Sequence, residues 1–161
     1  MNYQELTNRI KANFTEEWLT PSQQQIFLKL LNGFKTHKIV NVYGKQGVGK
    51  TFLAWNLSAK LEATFTRTLD INSSEELIVL DDYKHSRSDI RHLFSHIQLR
   101  KISKVFIFTS LKAQDDIVSF ELNFTEQDKK IFKSNIYRYL GINFAKETPN
   151  DNMHKLIKNN L

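Results

Sequence analysis

The sequence has no cysteine, which excludes disulfides, thiolate zinc sites and cysteine nucleophiles. Proline is almost as scarce. Of the two present, Pro21 suits the first turn of a helix and Pro149 falls in an asparagine- and lysine-rich stretch. No apolar run approaches the roughly 20 residues that cross a bilayer. The opening Met1-Asn2-Tyr3-Gln4-Glu5 lacks the apolar core of a secretory leader. A cytoplasmic protein without a membrane partner is therefore expected. Glycine is rare too, yet of five glycines three fall in one short stretch, at Gly44, Gly47 and Gly49. A scarce residue concentrated in this way marks a loop whose backbone has a special task.

The 161 residues are enough for one domain with a real core, and 40% hydrophobic with 25% charged residues describes a globular chain. Lysine and arginine outnumber the acids by 23 to 17, leaving a net charge of +6. This excess suits a nucleic-acid partner, although the basic residues are scattered and equally fit a solvated surface.

The glycines belong to Gly44-Lys45-Gln46-Gly47-Val48-Gly49-Lys50-Thr51, which fits G-x-x-x-x-G-K-[ST]. Its context fits as well. The apolar, β-branched Lys38 to Tyr43 reads as a buried parallel strand before it, and Phe52 to Glu62 reads as a helix after it. Glycines let amide N–H groups approach phosphate oxygens, and the helix start adds its unpaired N–H groups. Lys50 is expected to reach the β- and γ-phosphates of ATP or ADP, and the Thr51 hydroxyl to ligate Mg²⁺. A second half of such a site follows at Leu77-Ile78-Val79-Leu80-Asp81-Asp82. Here a buried strand ends in two carboxylates, at the edge where parallel α/β sheets hold ligands. Asp81 is expected beside Thr51 as a metal ligand, and Asp82 as the residue that orients the attacking water.

The remaining elements follow in order. Residues 1–19 place Leu6, Ile10, Phe14 and Trp18 four apart, predicting an amphipathic helix or docked arm. Thr20-Pro21-Ser22-Gln23 opens a helix to about Asn32, with Gly33 its expected C-cap. Gln23 either completes a capping box or reads an adenine edge, as in the glutamine motif of some helicases. Thr64 to Ile71 reads as a short strand. Lys84 to Lys101 reads as a helix with Ile90, Leu93, Phe94 and Ile97 inward, and with His92 and His96 on a solvated face. Lys104 to Ser110 is a buried strand ending in two hydroxyls, which either meet the γ-phosphate or cap the next loop. Ile117 to Phe124 is the last strand. Thr125 caps a helix to Leu140, stopped by Gly141, and a short helix is expected near Met153 to Ile157.

This order of motifs resembles the core of AAA+ ATPases, most closely the replication-initiator and helicase-loader branch (the DnaA, DnaC and IstB group). The resemblance spans about residues 20–141. It rests on the glycine loop, on Leu77 to Tyr83, Leu93 to Ile97 with Arg100, Ile107 to Ser110, and Phe120 to Leu122 before Thr125 to Asp128. It implies a three-layer α/β/α P-loop NTPase with a five-stranded parallel sheet in the order 5-1-4-3-2, lacking a full AAA+ lid. It also implies a core at 1–141 with an N-terminal helical arm, and a short tail at 142–161 that is not a separate domain. By resemblance Gly44, Lys45, Gln46, Gly47, Val48, Gly49, Lys50 and Thr51 bind ATP phosphates, Asp81 binds Mg²⁺ with Thr51, and Asp82 takes the catalytic acidic position. Thr109 or Ser110 takes the sensor-1 place. Asp82 is shorter than the glutamate usual there, and no arginine lies between Thr109 and Phe124, where a finger commonly stands. Arg100 and Arg138 are the nearest candidates for that finger. ATP binding with weak hydrolysis is therefore the expectation. DNA, a replication or helicase-type protein, and a second copy of the chain are the expected partners. The two motifs are also similar to those of NB-ARC signalling ATPases, which space them further apart. A nucleotide-binding adaptor and a small-molecule kinase are the other function classes, the latter without an arginine-rich lid segment.

Overall fold

Strands without alternating polarity need cover on both faces, and the apolar quartets Leu77–Leu80 and Val105–Phe108 meet that need at the centre of a parallel sheet. The protein is described by a computed structural model covering residues 2–32, 37–68, 76–83, 87–99, 102–113, 117–144 and 152–161, with backbone alone at 87–91 and 96. Its elements are α1 (Tyr3–Asn13), a 3₁₀ turn (Glu16–Trp18), α2 (Pro21–Asn32), β1 (Ile39–Tyr43), α3 (Lys50–Leu61), β2 (Thr64–Thr66) and β3 (Leu77–Leu80). They continue with α4 (Arg87–Leu99), β4 (Lys104–Thr109), β5 (Val118–Glu121), α5 (Glu126–Leu140) and α6 (Met153–Asn160).

The five strands are parallel throughout and lie in the order β2-β3-β4-β1-β5, which is the expected 5-1-4-3-2 read from the other edge. β1 is central, pairing Val40 with both Phe106 of β4 and Val118 of β5. Alternation along each strand sends residues to two cores. Val40, Val42, Val79, Phe106 and Phe108 join Leu53, Leu57, Phe27, Leu30, Ile136 and Leu156 on one face. Ile39, Ile78, Leu80, Val105 and Ile107 join Leu93 and Ile97 of α4 on the other. Three layers result, with helices over both faces of the sheet.

Some boundaries differ from the sequence pattern. β2 stops at Thr66, shorter than the expected Thr64 to Ile71. β4 stops at Thr109 rather than Ser110, and β5 is limited to Val118–Glu121 within the expected Ile117 to Phe124. Gly33, Arg100, Lys101 and the side chains of Ile90 and His96 lie outside the described residues. The short helix expected near Met153 is α6, and it buries Met153, Leu156 and Ile157.

One carboxylate fastens two helix starts together. Asp128 is fully buried in the first turn of α5. It accepts from the Thr125 N–H and hydroxyl, both at 2.7 Å, which completes the capping box of its own helix. It also accepts from the Ser22 N–H at 2.9 Å and the Ser22 hydroxyl at 2.7 Å, which caps α2. Burial alone raises the Asp128 pKa, but these four donors outweigh it, and the carboxyl sits below its ordinary value. Further along α5, Asn135 donates to the Trp18 carbonyl at 3.0 Å and Tyr139 stacks on Trp18 with ring centroids 4.5 Å apart.

Removing that carboxylate strands four buried or half-buried donors. Asp128→Ala is expected to cost on the order of 3 kcal/mol, measured by urea unfolding. Because the folded pKa is depressed, the wild-type contribution is complete above the unfolded value of about 3.9 and is lost as pH falls through the folded one. The gap between wild type and variant should therefore close in acid.

Candidate functional site

The carboxyl ends of β1, β3 and β4 converge on the turn between β1 and α3, and this turn is built by backbone conformation. Gly47 and Gly49 have φ of +85° and +91°, a left-handed region that side chains strain to reach. Both are also closely approached. A Cβ on Gly47 would collide with the Asn152 amide, and one on Gly49 with the Gln23 amide nitrogen and the Met153 thioether end. The chain then enters α3 with Lys50 and Thr51 in the first turn.

The Lys50 ammonium donates to the carbonyls of Gly44 at 2.7 Å and Lys45 at 2.9 Å. Burial lowers its pKa, and the charges of Asp81 and Asp82 oppose that shift. The Thr51 hydroxyl donates to Asp81 Oδ2 at 2.9 Å, joining the two halves of the expected site, which lie 30 residues apart in sequence. Asp81 is buried at the end of β3, where its N–H donates to the Thr66 carbonyl. Burial raises its pKa, partly offset by the Thr51 hydrogen bond and then by the Arg67 charge. Asp82 follows at φ +54°, exposed, in the left-handed conformation that aspartate adopts more readily than most residues. Tyr83 returns to the sheet by donating its N–H to the Phe108 carbonyl.

Thr109 and Ser110 separate clearly. Ser110 is exposed, whereas Thr109 is buried, with its hydroxyl 2.8 Å from Asn41 Oδ1 and 2.7 Å from the Leu111 carbonyl. Asn41 in turn reaches the Leu111 carbonyl and Ser119, so a polar network runs under the ends of β4, β1 and β5. Gln23 uses both ends of its amide. Its oxygen accepts from the Thr20 N–H at 2.9 Å, as a capping residue does, and its nitrogen donates to the Gly49 carbonyl at 3.0 Å. It thus braces the glycine loop. Arg138 lies in the last turn of α5 with its guanidinium over the Tyr139 ring.

Four contributors escaped the sequence reading. Arg67, just beyond β2, places its guanidinium 3.6 Å from Asp81 Oδ2 while 63% of its side chain stays exposed. Nothing in its neighbourhood in sequence singles it out. Asn41 carried a signal, since an amide amid Ile39, Val40 and Val42 must find buried partners. Asn152 and Met153 reach the loop from α6, with Asn152 Nδ2 donating to the Gln46 carbonyl at 2.9 Å and the Met153 N–H to the Gly47 carbonyl at 2.8 Å.

A hydroxyl and a carboxylate oxygen 2.9 Å apart are the hard ligands that Mg²⁺ accepts, beside a glycine turn whose amides can receive phosphate oxygens. This sheet and turn are those of the three-layer α/β/α P-loop NTPase fold. The same fold is seen in solved structures of the replication initiator DnaA. The chain superposes on AMPPCP-bound DnaA from Aquifex aeolicus with a TM-score of 0.57, at 14% identity over 86% of this chain and 60% of that one. On the replication initiator DnaA bound to AMPPCP and single-stranded DNA the TM-score is 0.55, at 16% identity over 83% and 57%. The chain thus spans somewhat under two thirds of the length of these structures. No protein-family profile and no curated protein matches it in sequence. Among the described residues no helix is long and apolar enough to cross a membrane.

The raised Asp81 pKa makes a stability prediction. A carboxylate whose folded pKa is raised destabilises the fold once ionised, so its cost grows as pH climbs from about 3.9 to the folded value and persists above it. Asp81→Asn keeps an acceptor for Thr51 and removes the charge. Without nucleotide it should unfold at a higher temperature at pH 7, by on the order of 1 kcal/mol, with the gain vanishing below about pH 4 in calorimetric scans.

Proposed function

We propose that this chain binds MgATP as a P-loop ATPase of the AAA+ initiator type and acts in a DNA transaction such as replication initiation, helicase loading or an accessory step of transposition. The observation that carries this reading is the Thr51 to Asp81 hydrogen bond at the mouth of the glycine turn, since those two oxygens are the ligands a nucleotide-bound Mg²⁺ needs. When bound, Mg²⁺ would neutralise charge on the β- and γ-phosphates. Lys50 would exchange its loop carbonyls for phosphate oxygens, the amides from Gly47 to Thr51 would receive the remaining ones, and the exposed Asp82 would orient the attacking water. Residues 1–141 form the nucleotide-binding unit in this reading, and 142–161 attach to it without forming another.

DNA as a partner is supported by the +6 net charge and by a fold-mate carrying single-stranded DNA. A replication protein, or a second copy that supplies an arginine to the nucleotide, suits the same reading. A second reading is a nucleotide-switched adaptor that recruits a protein and turns over little or no ATP. The network that occupies the Thr109 hydroxyl favours it, because that hydroxyl then has no free proton for a γ-phosphate.

Steady-state ATP hydrolysis with and without single-stranded DNA, beside nucleotide titration, separates the two. Lys50→Ala should weaken nucleotide binding about 10- to 100-fold, the value of one or two charge-assisted hydrogen bonds. Turnover that DNA stimulates and Lys50→Ala abolishes would establish the DNA-linked ATPase. Binding with no turnover above that variant would establish the adaptor. No binding at all would defeat both.

A further inference from the structure

The outer face of the glycine turn is held by a part of the chain far from any nucleotide motif. Asn152, the N-cap of α6, donates its side-chain nitrogen to the Gln46 carbonyl, and the next residue donates its N–H to the Gly47 carbonyl. Gln23 of α2 donates to the Gly49 carbonyl from another side. Every described peptide bond is trans, so the C=O of one residue and the N–H of the next point in opposite directions. Pinning the carbonyls of Gln46, Gly47 and Gly49 outward therefore turns the N–H groups of Gly47, Val48 and Lys50 to the opposite face, where a phosphate would sit.

We infer that Asn152 and the start of α6 act as a carbonyl clamp that holds the phosphate-binding amides in place before nucleotide arrives. The inference rests on the nucleotide-binding reading and adds the part of the chain that sets the affinity of that site. The clamp is rigid. Met153, Leu156 and Ile157 anchor α6 in the core, and the ring of His154 lies 4.6 Å from that of Tyr3 on α1. The Asn152 amide can face only one way, since its oxygen accepts from the Lys155 N–H at 3.1 Å while its nitrogen meets Gln46. Lys50 also holds loop carbonyls, but it must leave them to reach a phosphate, whereas Asn152, Met153 and Gln23 can stay. The two hydrogen bonds from Asn152 and Met153 go to carbonyls and leave the Gly47 and Val48 amides for phosphate, so the segment supports the cradle. Asn152 is a positioning residue in this scheme.

The test uses the full chain carrying Asn152→Ser, a neutral variant that still caps α6 but is too short to reach Gln46. Three quantities are read: affinity for MgATP and MgADP by titration calorimetry, NMR order parameters of the Gly47 and Val48 amides without nucleotide, and melting temperature. Losing one well-placed hydrogen bond from a preorganised loop should weaken both nucleotides about 10-fold and alike, because the clamp acts on the loop and not on the γ-phosphate. Order parameters at Gly47 and Val48 should fall while the melting temperature holds. Unchanged or tighter binding in the variant, with a wild type that binds, overturns the clamp. If the wild type binds no nucleotide, the proposed function fails by itself, and the relaxation measurement still decides the clamp: lower loop order supports it, equal order overturns it. Should the serine variant not fold, Asn152→Asp, which keeps the cap and the size but loses the donor, is read by the same loop order parameters.

Discussion

Five parallel strands present all their carboxyl ends along one edge, and the candidate site described above depends on that constraint. β1 delivers the glycine turn, β3 delivers Asp81 and Asp82, and β4 delivers Thr109 to the same rim. Parallel strands need cover on both faces, so the sequence must supply two apolar cores, and the helices that line them also shape the rim. The first turn of α3 brings Lys50 and Thr51 there because α3 follows β1 with only the glycine turn between them. Chemistry and packing are thus two outcomes of one topology.

The polar groups behind the rim are as ordered as those on it. Asn41, Thr109, Leu111 and Ser119 satisfy one another beneath β4, β1 and β5. Asp128 joins α2 to α5 through four donors, and Gln23, one residue beyond Ser22, carries that fixed position forward to Gly49. A chain of hydrogen bonds therefore connects the start of α5 to the glycine turn through the first turn of α2. Buried networks of this kind hold geometry when every member is satisfied, and the ones named here have partners at both ends.

Much of this was legible in the sequence, for identifiable reasons. The glycine turn and the strand that ends in Asp81 and Asp82 are contiguous patterns, each tied to one element, so local reading finds them. The strand order followed from a resemblance carried by those same patterns, and the sheet has that order. What escaped are single polar side chains whose partners lie far along the chain. Ser22 and Asp128 are 106 residues apart, and neither has a periodicity that points to the other. Arg67 meets Asp81 only because β2 and β3 pair, and that pairing places Thr66 against Leu80. The Gln23 amide was readable as a cap or as an adenine reader, and its actual second partner, the Gly49 carbonyl, is a backbone atom that no side-chain motif encodes.

The separation between Gln46 and Asn152 also has a meaning in time. The two are 106 residues apart, so a ribosome that has completed the glycine turn must add all of that length before the residue that braces it exists. At about 5–20 residues per second the delay is on the order of 5–20 s. For more than half of it β1 also lacks a complete β4, and for longer still β5, its two neighbours in the finished sheet. A nascent chain therefore carries the full phosphate-binding signature long before it carries a folded phosphate-binding loop. The glycine turn is thus braced by α6 only once every strand of the described sheet has been made.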